Sequence, residues 1–226
     1  AGPGREVLVA LRDRLVWVDF DARTMRPHAV GIFEASPNRL NDGKHDPRGR
    51  LWIGSMHFKG ERRTGALFRV DGGEVTRVLE GVGCSNGLAW SADGATMYYV
   101  DSHDRGIDAF DYDPTRGAAT RRRRVFSMPR WMAGPDGLCI DAEGCLWVAL
   151  HGGGAVLRVD PRAGSMLAQV QVPCPLVTSC AFGGPDLSTL YITTAAGDGR
   201  PGGGLFAFDT PVKGAPVPGA GASTLP

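Results

Sequence analysis

A unit of about 45 residues recurs along this chain, built from short apolar strands between turns rich in Gly, Pro and Asp. Gly4-Arg5-Glu6-Val7-Leu8-Val9 superposes on Gly49-Arg50-Leu51-Trp52-Ile53-Gly54, and Ala95-Thr96-Met97-Tyr98-Tyr99-Val100 continues the series. Gly144-Cys145-Leu146-Trp147-Val148-Ala149 and Ser188-Thr189-Leu190-Tyr191-Ile192-Thr193 complete it. The strand that follows each copy ends in aspartate: Leu15 to Asp19, Leu67 to Asp71, Ala109 to Asp113, Val156 to Asp160 and Leu205 to Asp209. A period of this length with about four short strands is that of a β-propeller blade. Helical periodicity is nearly absent, and 33 glycines and 16 prolines interrupt the chain too often for long helices.

Polar motifs open four of the innermost strands: Asn41-Asp42-Gly43, Asn86-Gly87, Asp136-Gly137 and Thr178-Ser179. A circular fold would aim all four at one axis, the way a hard-cation site is assembled from separate repeats. With blade strands written A to D from the inside, the chain supplies strand A for the last four repeats only, and the first repeat begins at strand B near Gly4. The expected fold is all-β, a six-bladed propeller with about five blades present. Residues 1–226 then form a single propeller domain lacking its first blade and one inner strand, on the order of 60 residues at this period. Residues 212–226, rich in Gly, Pro and Ala, read as an edge strand followed by a flexible tail.

Composition narrows the partners. At 226 residues, 42% hydrophobic and formal charge +1, the chain can bury a substantial core without a strong global field. No apolar run is long enough for a membrane span, and no basic footprint for nucleic acid is present. Arg121 to Arg124 is the one basic run and falls where an outer, solvated strand is expected. The 5 cysteines are odd in number and lack C-x-x-C spacing, which favours a reduced, cytoplasmic compartment. A monomer or weak homo-oligomer is expected.

Several longer stretches carry a resemblance. Arg39-Leu40-Asn41-Asp42-Gly43-Lys44-His45-Asp46-Pro47-Arg48-Gly49-Arg50 resembles the R-x-N-D-G-K-x-D-P-x-G-R signature of the senescence marker protein, gluconolactonase and regucalcin family. Ser85-Asn86-Gly87-Leu88-Ala89-Trp90-Ser91 resembles its S-N-G-L-x-W-S element, and the stretches Asp108 to Asp113, Pro135 to Gly144 and Thr178 to Gly184 resemble three more. The matches are ordered along roughly residues 4–210.

The resemblance implies a six-bladed propeller with one catalytic divalent metal at the mouth of its channel, held by a first-blade glutamate, by Asn86 and by Asp136. The glutamate's E-x-P-x-W motif has no counterpart here, since Glu34-Ala35-Ser36-Pro37 lies in the loop before Arg39, where the family has no ligand. It also implies substrate contacts from Arg39 and Asn41. On their own chemistry, an amide and a carboxylate oxygen suit Ca, Zn, Mn or Mg, and an open coordination position would polarise a lactone carbonyl and activate water. Asp136 is the residue able to bind metal and also accept that water's proton. Guanidinium and amide groups suit a polyhydroxylated lactone; the competing structural reading pairs Arg39 with an acidic neighbour and has Asn41 cap its turn.

Lesser candidates surround these. His57 and Phe58 stand where some relatives place acidic substrate contacts, so His57 is a pocket-wall candidate with altered selectivity. His103 is a second wall candidate. Asp101-Ser102-His103 invites a nucleophilic triad, but Ser102 lacks a G-x-S-x-G elbow. Asp42, Asp46, Asp93 and Asp141 fall at turn positions and are expected to bond backbone amides, while Gly152 to Gly154 and Gly202 to Gly204 read as hairpin loops. Two functions follow: hydrolysis of a sugar lactone, with esterase or organophosphate hydrolysis as related activities, or binding of a metal or ligand without catalysis.

Overall fold

The structure, a computed structural model, describes residues 6–28, 37–197, 199 and 202–216. Among these, 18 strands and one turn of 3₁₀ helix form five antiparallel sheets, each an up-and-down meander. The chain divides into two compact units, the described parts of Ala1–His45 with Arg50–Ser85, and of Asp46–Gly49 with Asn86–Pro226.

The first unit holds a three-stranded sheet of β1 (Glu6–Ala10), β2 (Leu15–Asp19) and β3 (Thr24–Pro27). Beside it in sequence lies a four-stranded sheet of β4 (Asn38–His45), β5 (Leu51–His57), β6 (Gly65–Asp71) and β7 (Glu74–Val82). Their apolar faces share one core in which Leu15, Leu40, Ile53 and Phe68 are buried and Leu8 packs at the margin. β5 is buried along its whole length, whereas β7 is largely open, as alternating inner and outer positions of a meander require.

The second unit contains β8 (Ser85–Trp90, from Asn86), β9 (Thr96–Asp101), β10 (Gly106–Asp113) and β11 (Ala118–Ser127) in one sheet. A second sheet follows with β12 (Gly134–Ile140), β13 (Leu146–His151), β14 (Ala155–Asp160) and β15 (Ser165–Gln171), and a third with β16 (Val177–Gly183), β17 (Thr189–Thr194) and β18 (Leu205–Asp209). Val100, Ile107, Leu138, Val148 and Leu157 fill the space between the first two sheets. Trp147, Val156, Val177, Leu190 and Ile192 do the same between the second and third.

Aspartates set the turns. Asp141 accepts the amides of Glu143 at 3.0 Å and Cys145 at 2.9 Å, while Gly144 takes a positive φ of 79° and donates to the Asp141 carbonyl. Asp46 accepts from Arg48 at 2.8 Å and Asp93 from Ala95 at 3.0 Å, in the same role. The Asp141 carboxylate is fully buried and also accepts from Trp147 Nε1 at 2.9 Å and Arg158 Nε at 2.8 Å, so one residue ties the A–B turn to the strands beyond it.

The strands expected from the repeat are present, those ending in aspartate at the expected residues. Arg121 to Arg124 lies on the outer strand β11, but Arg122 and Arg124 are not simply solvated, because both grip the buried Asp108 carboxylate of β10. The described start of the tail departs from expectation. Residues 212–216 form no edge strand; they fold back so that Gly214 bridges Asp141, the Ala142 amide donates to the Lys213 carbonyl, and Ala215 donates to the Ile140 carbonyl. A glycine at 214 suits this, since a Cβ there would lie 2.3 Å from the Cβ of Phe182. Gly4, Arg5, Glu34 and residues 217–226, which carried other expectations, lie outside the described residues. The described residues supply five blade-like sheets; a sixth is not among them. Among the described residues no helix is long and apolar enough to cross a membrane.

Candidate functional site

In three of the innermost strands the polar motif coincides with a break in the pairing register. Leu40 faces Ser55 but Gly43 faces Ile53, so Asn41 and Asp42 together oppose one residue. Pro135 faces Leu150 but Leu138 faces Val148, which places Asp136-Gly137 in the same kind of bulge. Thr178 is the extra residue between Val177, opposite Thr194, and Ser179, opposite Thr193. A β-bulge turns a side chain away from the regular alternation and sharpens the local twist, which is how a strand aims a ligand out of its sheet.

The glycines of these motifs have a second role. A Cβ on Gly87 would stand 2.7 Å from the Leu138 amide nitrogen and 2.8 Å from the Asp136 carbonyl oxygen, so β8 and β12 approach each other backbone to backbone where Asn86 and Asp136 sit. A Cβ on Gly137 would collide in turn with the Ser179 side chain, 2.3 Å from its Oγ.

Asn86 is buried and its amide Nδ2 donates to Ser102 Oγ at 2.7 Å, while Ser102 Oγ donates to the Pro135 carbonyl at 2.5 Å. Pro135 immediately precedes the half-buried Asp136, so Ser102 ties Asn86 by hydrogen bonds to the residue next to Asp136. Ser102 opens the 3₁₀ turn Ser102–Asp104, whose N-cap Asp101 accepts from the His103 amide. The triad arrangement is absent: the Ser102 hydroxyl donates to a backbone carbonyl. His103 is exposed, and among the described residues its imidazole takes no hydrogen bond to the other candidates.

In the first unit, Arg39 Nη1 donates to Asn41 Oδ1 at 2.6 Å and to the Leu40 carbonyl, and Asn41 Nδ2 donates to the Ser85 carbonyl at 2.7 Å. Arg39 therefore pairs with Asn41 rather than with an acid, and Asn41 also reaches across to another strand. His57 is buried at 8% exposure, and among the described residues its Nδ1 has no hydrogen-bond partner. Such an atom costs on the order of 1–3 kcal/mol unless something bonds it. Asp42 borders a cavity of about 320 Å³ together with Leu8, Ala10, Leu15 and Ile53. Burial raises its carboxyl above the usual carboxylate range, against the opposing pull of Lys44 and the Gly43 amide.

The donor set is one amide and one carboxylate. Among the described residues no group of three or more His, Cys, Asp or Glu gathers to hold an ion. Asn86 and Asp136 supply hard oxygen donors on strands held together at Gly87, which fits part of a Ca²⁺, Mg²⁺ or Mn²⁺ coordination shell and requires further donors from solvent or protein.

Comparison with known proteins places these residues in a lineage. The SMP-30/Gluconolactonase/LRE-like region matches residues 1–196. The chain belongs to that family. It is 44% identical over 192 residues to regucalcin of Danio rerio, covering 83% of this chain and 64% of that protein. A protein of Sulfolobus acidocaldarius without a described function is 46% identical over 180 residues, covering 79% of this chain and 65% of that one. The chain thus spans about two thirds of the length of these relatives. Among solved structures, a calcium-binding regucalcin of Agrobacterium tumefaciens superposes with TM-score 0.86 at 32% identity, covering 92% of this chain and 74% of that one. A luciferin-regenerating enzyme superposes with TM-score 0.85 at 33% identity, covering 96% and 78%. A gluconolactonase of Xanthomonas campestris, at 23% identity and TM-score 0.70, shares the fold.

What sequence reading missed is Ser102 as a bridge. The signal was a serine directly after the aspartate that ends β9, in a blade whose inner strand carries the candidate amide ligand. The bulges were missed as well, although a polar residue followed by Gly inside an apolar strand is the composition they favour.

Proposed function

We propose that the protein hydrolyses a sugar lactone to the hydroxy acid, as a divalent-metal-dependent lactonase within a six-bladed propeller whose remaining strands are not among the described residues. The observation that carries this reading is the assembly of Asn86 and Asp136, on strands in backbone contact at Gly87, in a chain of the gluconolactonase and regucalcin family. Asn86 through its carbonyl oxygen and Asp136 through its carboxylate would hold the ion. When bound, a divalent ion polarises a carbonyl and lowers the pKa of water.

The chain's own residues do the rest. Asp136 accepts a proton from the attacking water as its oxygen bonds to the lactone carbonyl carbon. The ring C–O bond then breaks, the departing alkoxide takes back the proton held by Asp136, and the new carboxyl group releases its own proton to solvent, leaving the hydroxy acid as its carboxylate. Arg39, Asn41 and His57 are proposed as recognition residues for ring and hydroxyl oxygens. Arg39 retains Nε and Nη2 as donors, and the unpartnered His57 Nδ1 gains a hydrogen bond from a ligand hydroxyl. Asn41, engaged at both ends of its amide, acts more by holding Arg39 than by direct contact. His103, exposed on its turn, is proposed as an outer wall.

A second reading, calcium binding without turnover, draws support from the calcium-binding description of the Agrobacterium regucalcin. Acid release from a panel of aldonolactones separates the two. The lactonase reading expects acceleration over spontaneous opening that is abolished by a chelator, restored by Mn²⁺, Zn²⁺, Mg²⁺ or Ca²⁺, and lost in Asp136→Asn with the fold intact. Spontaneous rates throughout, or wild-type turnover in Asp136→Asn, would overturn it.

A further inference from the structure

We infer that Ser102 is a positioning residue that fixes which end of the Asn86 amide faces the candidate metal site and locks Asn86 to the Asp136 segment. The inference rests on the metal reading of Asn86 and Asp136 and extends it to a residue outside the ligand set.

A serine hydroxyl has one proton and two lone pairs. The Ser102 proton goes to the Pro135 carbonyl at 2.5 Å, which can only accept. The Asn86 atom 2.7 Å from the same Oγ must therefore be a donor, the NH₂ end of the amide. Its carbonyl Oδ1, the only end able to ligate a cation, is directed away from Ser102. Without the hydroxyl, the Asn86 amide loses this constraint on its orientation, and a flipped amide presents N–H groups to a cation.

The bridge stands on a rigid base. Asp101 caps the 3₁₀ turn that begins at Ser102, and Arg105 closes it in the left-handed region at φ 51°. Arg105 is held there by its guanidinium, which donates to the Met132 carbonyl at 2.6 Å and to the Pro129 carbonyl at 3.2 Å. The Met128 amide in turn donates to the Arg105 carbonyl. The turn therefore joins the segment leading into β12, and Ser102 hands its position to Pro135 and so to Asp136. Supporting partners of this kind typically account for about 10–100-fold in metal affinity.

The test uses the whole chain and Mn²⁺ as probe, with free Mn²⁺ read by electron paramagnetic resonance and thermal unfolding followed without metal. Ser102→Ala is expected to weaken Mn²⁺ binding about 10–100-fold, and Ser102→Thr, which restores a hydroxyl, to recover most of it. A wild type that binds Mn²⁺ beside a Ser102→Ala variant that binds equally overturns the inference alone. So does a Ser102→Thr variant as weak as the alanine one at wild-type stability. A wild type that does not bind Mn²⁺ overturns the metal reading and the inference with it. If Ser102→Ala does not fold, the wild type decides by amide NMR: one Asn86 Nδ2 proton protected from exchange is expected, and rapid exchange of both overturns the inference.

Discussion

Replacing Gly87 by alanine places a methyl group between two backbones. The added Cβ would stand 2.7 Å from the Leu138 nitrogen and 2.8 Å from the Asp136 oxygen, whereas ordinary contact begins near 3.4 Å. Neither neighbour is the end of a flexible side chain, so β8 and β12 must part by about 0.7 Å at this point. Overpacking of this kind costs about 1–3 kcal/mol. At roughly 2–4 °C per kcal/mol for a chain of this size, the melting temperature should fall by about 2–12 °C. The same displacement separates Asn86 from Asp136, so Mn²⁺ affinity should fall along with stability. Gly134→Ala is the control, because it lies on β12 in ordinary backbone conformation with nothing within 4 Å of the new Cβ. It should stay within about 0.5 kcal/mol of wild type. Thermal unfolding and Mn²⁺ titration of both variants decide the matter. A Gly87→Ala protein that melts and binds like Gly134→Ala would refute the claim that strand approach at residue 87 builds the site.

Two further predictions concern buried carboxylates. Asp141→Ala leaves Trp147 Nε1 and the Arg158 guanidinium without their shared acceptor, and should cost about 3–5 kcal/mol in urea unfolding. Glu143→Ala, which removes only the exposed partner of Arg158, should cost under about 1 kcal/mol, and equal losses in the two variants would contradict the assignment. For Asp42, burial raises the folded-state carboxyl above its unfolded value, so its contribution to stability is fully present below the unfolded pKa and is lost as pH rises through the folded one. Asp42→Asn should therefore gain stability relative to wild type as pH rises from the ordinary carboxylate range, about pH 4, towards neutrality. A difference in urea midpoints that is constant or reversed over that range would show that Asp42 is not desolvated.

Much of the scaffold was legible because a blade strand carries its own signature. Leu15 to Asp19 and Leu205 to Asp209 are each an unbroken run of four apolar residues stopped by an aspartate, and both form strands with those bounds. The turn roles of Asp46, Asp93 and Asp141 were legible for the same local reason. The site was less so, since it depends on pairs of strands remote in sequence. Nothing around Gly87 announces that a Cβ there would press on the Asp136 carbonyl, and a period of two residues reports a face but not a register slip such as that at Asp136-Gly137. Ser102 was visible only as a possible nucleophile, because its acceptor, the Pro135 carbonyl, is 33 residues away. Residues 212–216 were read as an edge strand because their composition suits one, whereas the outcome depended on Lys213 and Ala215 finding backbone partners around Asp141.

The central claim is that Asn86 and Asp136 hold a divalent ion, and locating the ion tests it most directly. Crystals of the chain grown with Ca²⁺, or with Mn²⁺ as the stronger anomalous scatterer, should show an anomalous peak bonded to both Asn86 Oδ1 and the Asp136 carboxylate, at about 2.3–2.6 Å for Ca²⁺. A peak elsewhere on the molecule, or none at saturating metal, would contradict the account.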